Sequence, residues 1–173
     1  ERDFTEFELS PLTGALGCDI RGLDLSKPLA GRAKDELMRA INRYYVVAVR
    51  GQSLDMEGYH KLREALGPFS GNPVHESIPG YEDIMVLARE PDETGKVIGE
   101  DWHMDLAWLA MPPGLTVLYG ETVPPVGGDT MFASLEQAYK ALSPRMQAFL
   151  EGLVGVHAAG NVLAAQYGSV KLR

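Results

Sequence analysis

Glycine and proline divide the second half of the chain into short extended segments. Residues 115–119 and 130–132 are apolar enough for strands, and Pro124-Pro125 and Gly127-Gly128 lie between them. Pairs of proline or of glycine mark turns and loops. Helical periodicity occurs near the start of the chain and again in an insertion after residue 132. Strands and helices therefore do not alternate as they do in βαβ units, which argues against a doubly wound sheet.

Periodicity and capping signals predict the individual elements. Apolar residues at helical spacing indicate helices over 35–45 and 56–66, the second with Asp55 as its N-cap and a Gly-Pro stop. Two further helices are predicted over 135–142 and 144–153, the latter with a proline in its first turn. The predicted strands are two or three short ones within 4–25, followed by 46–49, 84–87, 115–119, 130–132 and 154–157.

Composition and charge exclude several classes of protein. Hydrophobic residues make up 45% and charged residues 23% of the 173 residues, the balance of an ordinary globular domain. No apolar run approaches the ~18 residues of a membrane span, and the start of the chain does not resemble a signal peptide. A net charge of −8 disfavours nucleic acid as a partner. Cys18 is the only cysteine, which excludes an internal disulfide and predicts a buried thiol in a cytoplasmic protein.

His103 and Asp105 lie two residues apart in the segment Trp102-His103-Met104-Asp105. In an extended chain, residues i and i+2 point to the same side, so the imidazole and the carboxylate would lie side by side. On a helix the two would diverge by roughly 200°. Such a pair supplies two ligands of the 2-His-1-carboxylate triad that binds non-haem Fe(II). An isolated pair of this kind is more often a strand-end histidine hydrogen-bonded to an aspartate, so the flanking sequence decides.

The flanking motifs favour the metal-binding interpretation. Their order is W-H-M-D, P-P-G, L-Y, V-P-P-V-G-G-D-T and A-Y-x-A-L-S-P. Together with Gly14-Ala15 and the stretch from Val46 to Gln52, this order resembles the taurine/2-oxoglutarate dioxygenase (TfdA-like) family, over nearly the whole chain to His157. The resemblance implies a mainly β fold with flanking helices around a double-stranded β-helix (jelly-roll, cupin-like) core. It also implies an Fe(II)- and 2-oxoglutarate-dependent dioxygenase that uses O2 to hydroxylate a C–H bond and releases succinate and CO2.

The resemblance assigns roles by matching position. His103 and Asp105 are expected to be iron ligands, and Thr130 is expected to donate a hydrogen bond to a carboxylate of 2-oxoglutarate. Gly127 and Gly128 are expected to form a tight turn. The third ligand, a distal His, and the Arg that pairs with the far carboxylate of 2-oxoglutarate have no match in this sequence.

The expected domain organisation follows from the lack of a match for the distal His and the Arg. Residues 1–173 are expected to form a single catalytic domain that is the N-terminal part of a longer dioxygenase domain. The abrupt join near Gly168-Ser169 suggests a deletion at that point.

The expected substrate is a small organic acid. In the substrate loop, Asn72 and His75 stand where taurine enzymes have His and Tyr, and Gly99 stands where they have Asn. The polar groups expected around a sulfonate are thus partly absent. The segment leading into the iron motif looks closer to relatives that cleave aryloxyalkanoates, with Val74 and Ile98 suited to an apolar wall. An aryloxyalkanoate is therefore favoured, and a sulfonate or sulfate ester is the alternative.

Two interpretations from other classes stay open. The first is a zinc-dependent hydrolase, which would need no 2-oxoglutarate, and the G-G-D-T motif argues against it. The second is a non-catalytic jelly-roll binding module that has lost its metal, and the intact His103 and Asp105 argue against that. Neither a nucleic acid nor a membrane is expected as a partner. The resemblance leads us to expect a homo-oligomer.

Overall fold

The computed structural model describes residues 3–69, 71, 77–90, 92–94, 99 and 101–159. These residues belong to two compact units. The first consists of the chain up to Gly67 together with Tyr119–Leu153. The second consists of the described residues within Pro68–Leu118 and those that follow Leu153. That all these residues form one catalytic domain stays a prediction.

A three-stranded sheet forms the centre of the first unit. Its strands are β1 (Glu8–Pro11), β2 (Cys18–Arg21) and β3 (Val47–Val49), in the order β1-β2-β3. β1 pairs with β2 in antiparallel register, and β2 pairs with β3 in parallel. The strands predicted within 4–25 and at 46–49 are thereby confirmed.

Helix α1 (Gly31–Tyr44) connects the two parallel strands. Parallel strands need a long crossover connection, and a helix supplies it while burying one face on the sheet. The sequence predicted its end within one residue but its start four residues too late. The first turn contains the basic Arg32 and Lys34 and no acidic residue, and Ala30 at the N-cap position offers no side-chain cap. Both usual signals of a helix start are thus missing.

The core of the first unit lies between α1 and the sheet. Its buried side chains are those of Phe7, Cys18, Ile20, Leu23, Leu25, Leu29, Leu37, Ala40, Tyr44 and Leu62. Cys18 is fully buried, which confirms the buried thiol. Burial, with the neighbouring Asp19 carboxylate, raises the pKa of Cys18 to about 11, so the thiol stays protonated at neutral pH.

Three more helices complete the secondary structure of the first unit. Helix α2 (Met56–Leu66) has the predicted bounds, and the side chain of Asp55 caps it by accepting a hydrogen bond from Gly58 N at 2.7 Å. Helices α3 (Leu135–Lys140) and α4 (Pro144–Leu150) begin where predicted and end two and three residues early. No helix among the described residues is both long and apolar enough to cross a membrane.

Four of the predicted strands are wrong. Residues 84–87, 115–119, 130–132 and 154–157 have no regular strand structure. A strand needs a neighbour that satisfies its backbone hydrogen bonds, and no other described segment pairs with these four. Outside the three-stranded sheet, the described residues hold one isolated bridge, between Ile78 and Tyr81. The described residues therefore do not themselves form the jelly-roll core.

Candidate metal centre

The second unit brings His103 and Asp105 together. Residues 102–104 have an irregular backbone, and a turn follows in which Leu109 N donates to Leu106 O at 3.0 Å. Leu106 lies in the left-handed region with φ 48°. His103 Nε2 lies 3.2 Å from Asp105 Oδ1. The side chains remain 53% and 44% exposed, so both are open to solvent.

A backbone carbonyl fixes the ring of His103. Its Nδ1 lies 2.7 Å from the carbonyl oxygen of Asp101. A carbonyl oxygen only accepts, so Nδ1 carries the hydrogen and donates it. In the neutral ring, Nε2 then keeps its lone pair for another partner. Metal-ligating histidines are commonly oriented in this way by a bond from the other ring nitrogen.

The carboxylate of Asp105 has two oxygens in different surroundings. Oδ2 accepts a hydrogen bond from Thr116 Oγ1 at 2.7 Å, whereas Oδ1 faces His103 Nε2. An imidazole nitrogen and a carboxylate oxygen 3.2 Å apart suit one divalent ion, because adjacent ligands at about 2.1 Å from an ion in octahedral geometry lie about 3 Å apart. The pair therefore fits two positions of a 2-His-1-carboxylate site.

Asp105 of this pair lines an open cavity of about 490 Å³ in the second unit. The cavity has one carboxylate, one hydroxyl and one imidazole among apolar groups, a mixture typical of small-molecule sites. The lining residues are Met104, Asp105, Ala107, Pro112, Pro113, Gly114, Leu115, Thr116 and His157.

The third metal ligand is not found. Within the part of the chain that the structure describes, no group of three His, Cys, Asp or Glu side chains is placed to hold a metal ion. That a distal His completes the site stays a prediction. The roles of His103 and Asp105 as ligands stay predictions.

The other predicted site residues are distributed as follows. Thr130 belongs to the first unit and is exposed, and its role toward 2-oxoglutarate stays a prediction. The expected tight turn before it is present, with Gly127 at φ 84° and Gly128 at φ 73°. Gly99 lies beside His103, where a Cβ atom would be 3.2 Å from the Cε1 atom of the ring. The remaining candidates for substrate contact lie outside the described residues, namely Asn72, Val74, His75 and Ile98.

Sequence reasoning missed three groups near the candidate metal centre. These are the carbonyl of Asp101, the hydroxyl of Thr116 and the imidazole of His157. A signal existed for Thr116, which is the single polar residue in the apolar run 115–118. No comparable signal marked His157, which was interpreted as the end of an apolar strand. A backbone carbonyl carries no sequence signal at all.

Comparison with known proteins places these residues in a family. The chain matches the family described as "Taurine catabolism dioxygenase TauD, TfdA family" over residues 8–169. This confirms the resemblance inferred from the motifs.

Two curated relatives show the range of similar enzymes. The chain is 30% identical over 155 residues to an alkylsulfatase from Acinetobacter baylyi. This match covers 88% of this chain and 47% of that protein. It is 28% identical over 167 residues to an alpha-ketoglutarate-dependent 2,4-dichlorophenoxyacetate dioxygenase from Cupriavidus pinatubonensis. This match covers 88% of this chain and 58% of that protein. The chain thus spans about half the length of the curated relatives it matches.

A solved structure supports the fold class. The chain is similar to a taurine dioxygenase from Burkholderia xenovorans, with a TM-score of 0.70, 30% identity, and coverage of 88% of this chain and 54% of that one. This likeness, together with the family match, supports the cupin-like class expected from the sequence.

Proposed function

The chain belongs to the taurine catabolism dioxygenase TauD, TfdA family, and from this premise we propose that the full-length protein is an Fe(II)- and 2-oxoglutarate-dependent dioxygenase. The observation that carries the proposal is the pairing of His103 Nε2 with Asp105 Oδ1 at 3.2 Å beside an open cavity. These two atoms supply an imidazole and a carboxylate, as the 2-His-1-carboxylate site requires.

The residues of this chain would hold and orient the reacting groups. His103 and Asp105 bind iron. The chemistry that iron supplies when bound is the activation of O2 for oxidation of a substrate C–H bond, while 2-oxoglutarate is converted to succinate and CO2. The carbonyl of Asp101 keeps the hydrogen of His103 on Nδ1. Thr130 donates its hydroxyl hydrogen to a carboxylate of 2-oxoglutarate, a charge-assisted bond stronger than a neutral one.

The proposed substrate is a small organic acid. The segment before His103 favours an aryloxyalkanoate, and the relative that acts on 2,4-dichlorophenoxyacetate supports that class. A second class, the sulfate esters and sulfonates, is favoured by the relative named as an alkylsulfatase and by the likeness to a taurine dioxygenase structure. Succinate release from 2-oxoglutarate, measured with members of each class, separates the two. The cytoplasmic location and the homo-oligomer stay predictions.

Loss of the imidazole at His103 tests the proposed activity. We expect His103→Ala in the full-length protein to abolish substrate-dependent succinate release, since one metal ligand is removed. The matched control is His60→Ala, because His60 lies on α2 beside Glu64 rather than in the metal centre. Iron-dependent turnover retained by His103→Ala would contradict the proposal. Hydrolysis with zinc and without 2-oxoglutarate would instead favour the hydrolase interpretation.

A further inference from the structure

The hydroxyl of Thr116 lies against the carboxylate that we assign to the metal. Its Oγ1 donates to Asp105 Oδ2 at 2.7 Å, a contact between residues eleven positions apart in the sequence. We propose that Thr116 is a positioning residue, which holds the Asp105 carboxylate so that Oδ1 alone faces the metal. This inference rests on the proposed function, because it concerns the same metal site.

The carboxylate needs such a restraint. Rotation about the terminal torsion of an aspartate side chain is soft and roughly two-fold, so either oxygen can face a given partner. Asp105 is 44% exposed, which means that packing alone does not fix this torsion. The hydrogen bond from Thr116 distinguishes the two oxygens: it uses Oδ2 and leaves Oδ1 on the side of His103 Nε2.

The local backbone aims the hydroxyl of Thr116 at the site. Its neighbours Leu115 and Val117 are partly buried, whereas Thr116 is exposed to the cavity that Asp105 also lines. The alternation of partly buried and exposed side chains is that of an extended segment, in which successive residues point to opposite sides. The partial burial of Leu115 and Val117 therefore holds this segment so that the side chain of Thr116 faces Asp105.

The two ligands are oriented by different kinds of group. The partner of His103 is the backbone carbonyl of Asp101, which a substitution leaves in place. The partner of Asp105 is a side-chain hydroxyl, which a substitution can remove. Thr116 can therefore be tested without altering either ligand.

The experiment is an anaerobic Fe(II) titration of the full-length apoprotein, followed by calorimetry, without 2-oxoglutarate or substrate. We expect Thr116→Val, which keeps the branched shape and loses the donor, to bind Fe(II) about 10- to 100-fold more weakly, the loss typical when a group that orients a metal ligand is removed. Thr116→Ser keeps the donor and should restore the wild-type affinity. Thr94→Val is the matched control, since Thr94 is exposed in the same unit.

The outcomes separate this inference from the proposed function. Equal Fe(II) affinity of wild type and Thr116→Val would overturn the positioning role while leaving the dioxygenase proposal intact. An equal loss in Thr116→Ser would overturn it too, because the methyl group rather than the hydroxyl would then matter. Wild-type protein that binds no Fe(II) would overturn the proposed function itself. If Thr116→Val melts below the assay temperature, Thr116→Ala takes its place with the same expected loss.

Discussion

At the residue scale, the backbone of Gly99 lies against the ring of His103. Gly99 has φ 80°, and a Cβ atom there would lie 3.2 Å from Cε1 and 3.8 Å from Nε2 of the imidazole. The left-handed backbone favours glycine, and so does the space, since 3.2 Å is closer than ordinary van der Waals contact. Gly99, which is also a candidate for substrate contact, therefore leaves the space that the His103 ring occupies.

A methyl group at this position should disturb the metal centre. We expect Gly99→Ala to weaken Fe(II) binding, because the added Cβ would press on the imidazole of His103, which we propose as one ligand. The matched control is Gly80→Ala in the same unit, where φ is 87° but a Cβ would meet no atom within 4 Å. Both variants carry the backbone strain, and only Gly99→Ala carries the contact. Similar Fe(II) affinities of the two variants, measured by anaerobic titration, would contradict this interpretation.

The residues of the candidate metal centre were predictable to different degrees. His103 and Asp105 were predictable because their spacing of two brings them to one side of an extended segment. The contact of Asp105 with Thr116 was not, because it depends on the turn after Asp105, where Leu106 adopts φ 48°. A leucine carries no sequence signal for that conformation.

At the scale of elements, Glu36 joins α1 to the segment before β1. Its carboxylate is 1% exposed and accepts hydrogen bonds from Thr5 N at 2.8 Å, Glu6 N at 2.9 Å and Arg32 Nε at 3.1 Å. Burial alone would raise the pKa of Glu36, but these bonds and one from the Thr5 hydroxyl outweigh it and lower the pKa from 4.5 to about 2. The ionised form is thus the one that the fold stabilises.

This carboxylate makes the stability of the protein depend on pH in the acid range. Because the folded-state pKa of Glu36 lies below the unfolded value, its contribution is present above pH 4.5 and is lost as the pH falls toward 2. We expect Glu36→Gln to lower the melting temperature at neutral pH and to flatten its dependence on pH across this window. The control is Glu121→Gln, whose side chain is exposed. An unchanged pH profile in Glu36→Gln would contradict the assigned role.

The elements differ in how far the sequence predicts them, for a physical reason. A helix satisfies most of its hydrogen bonds within its own segment, and the cap of α2 is a neighbouring residue, Asp55. Its bounds were therefore predictable from local signals. A strand takes its hydrogen bonds from another segment, so an apolar run such as residues 115–119 predicts a strand only where a partner exists. The prediction held for 46–49, which pairs with β2.

At the scale of the whole molecule, the charge balance bears on how an acidic substrate binds. The chain has a formal net charge of −8, while 2-oxoglutarate and the proposed organic acid are both anions. Asp105, one of the carboxylates counted in that charge, lies 3.2 Å from His103 at the candidate metal centre. We expect a bound metal, together with the Arg that the family resemblance implies, to supply electrostatic attraction for these anions. We accordingly expect 2-oxoglutarate to bind only after Fe(II).

The most direct measurement is an anaerobic titration of the full-length protein with Fe(II) and 2-oxoglutarate, followed by visible absorption. The proposed function predicts a weak metal-to-ligand charge-transfer band that appears only when both are present. Thr130→Val should need more 2-oxoglutarate to develop the same band, since it lacks the proposed hydrogen-bond donor. Folded, Fe(II)-bound protein that shows no band at saturating 2-oxoglutarate would contradict the dioxygenase proposal.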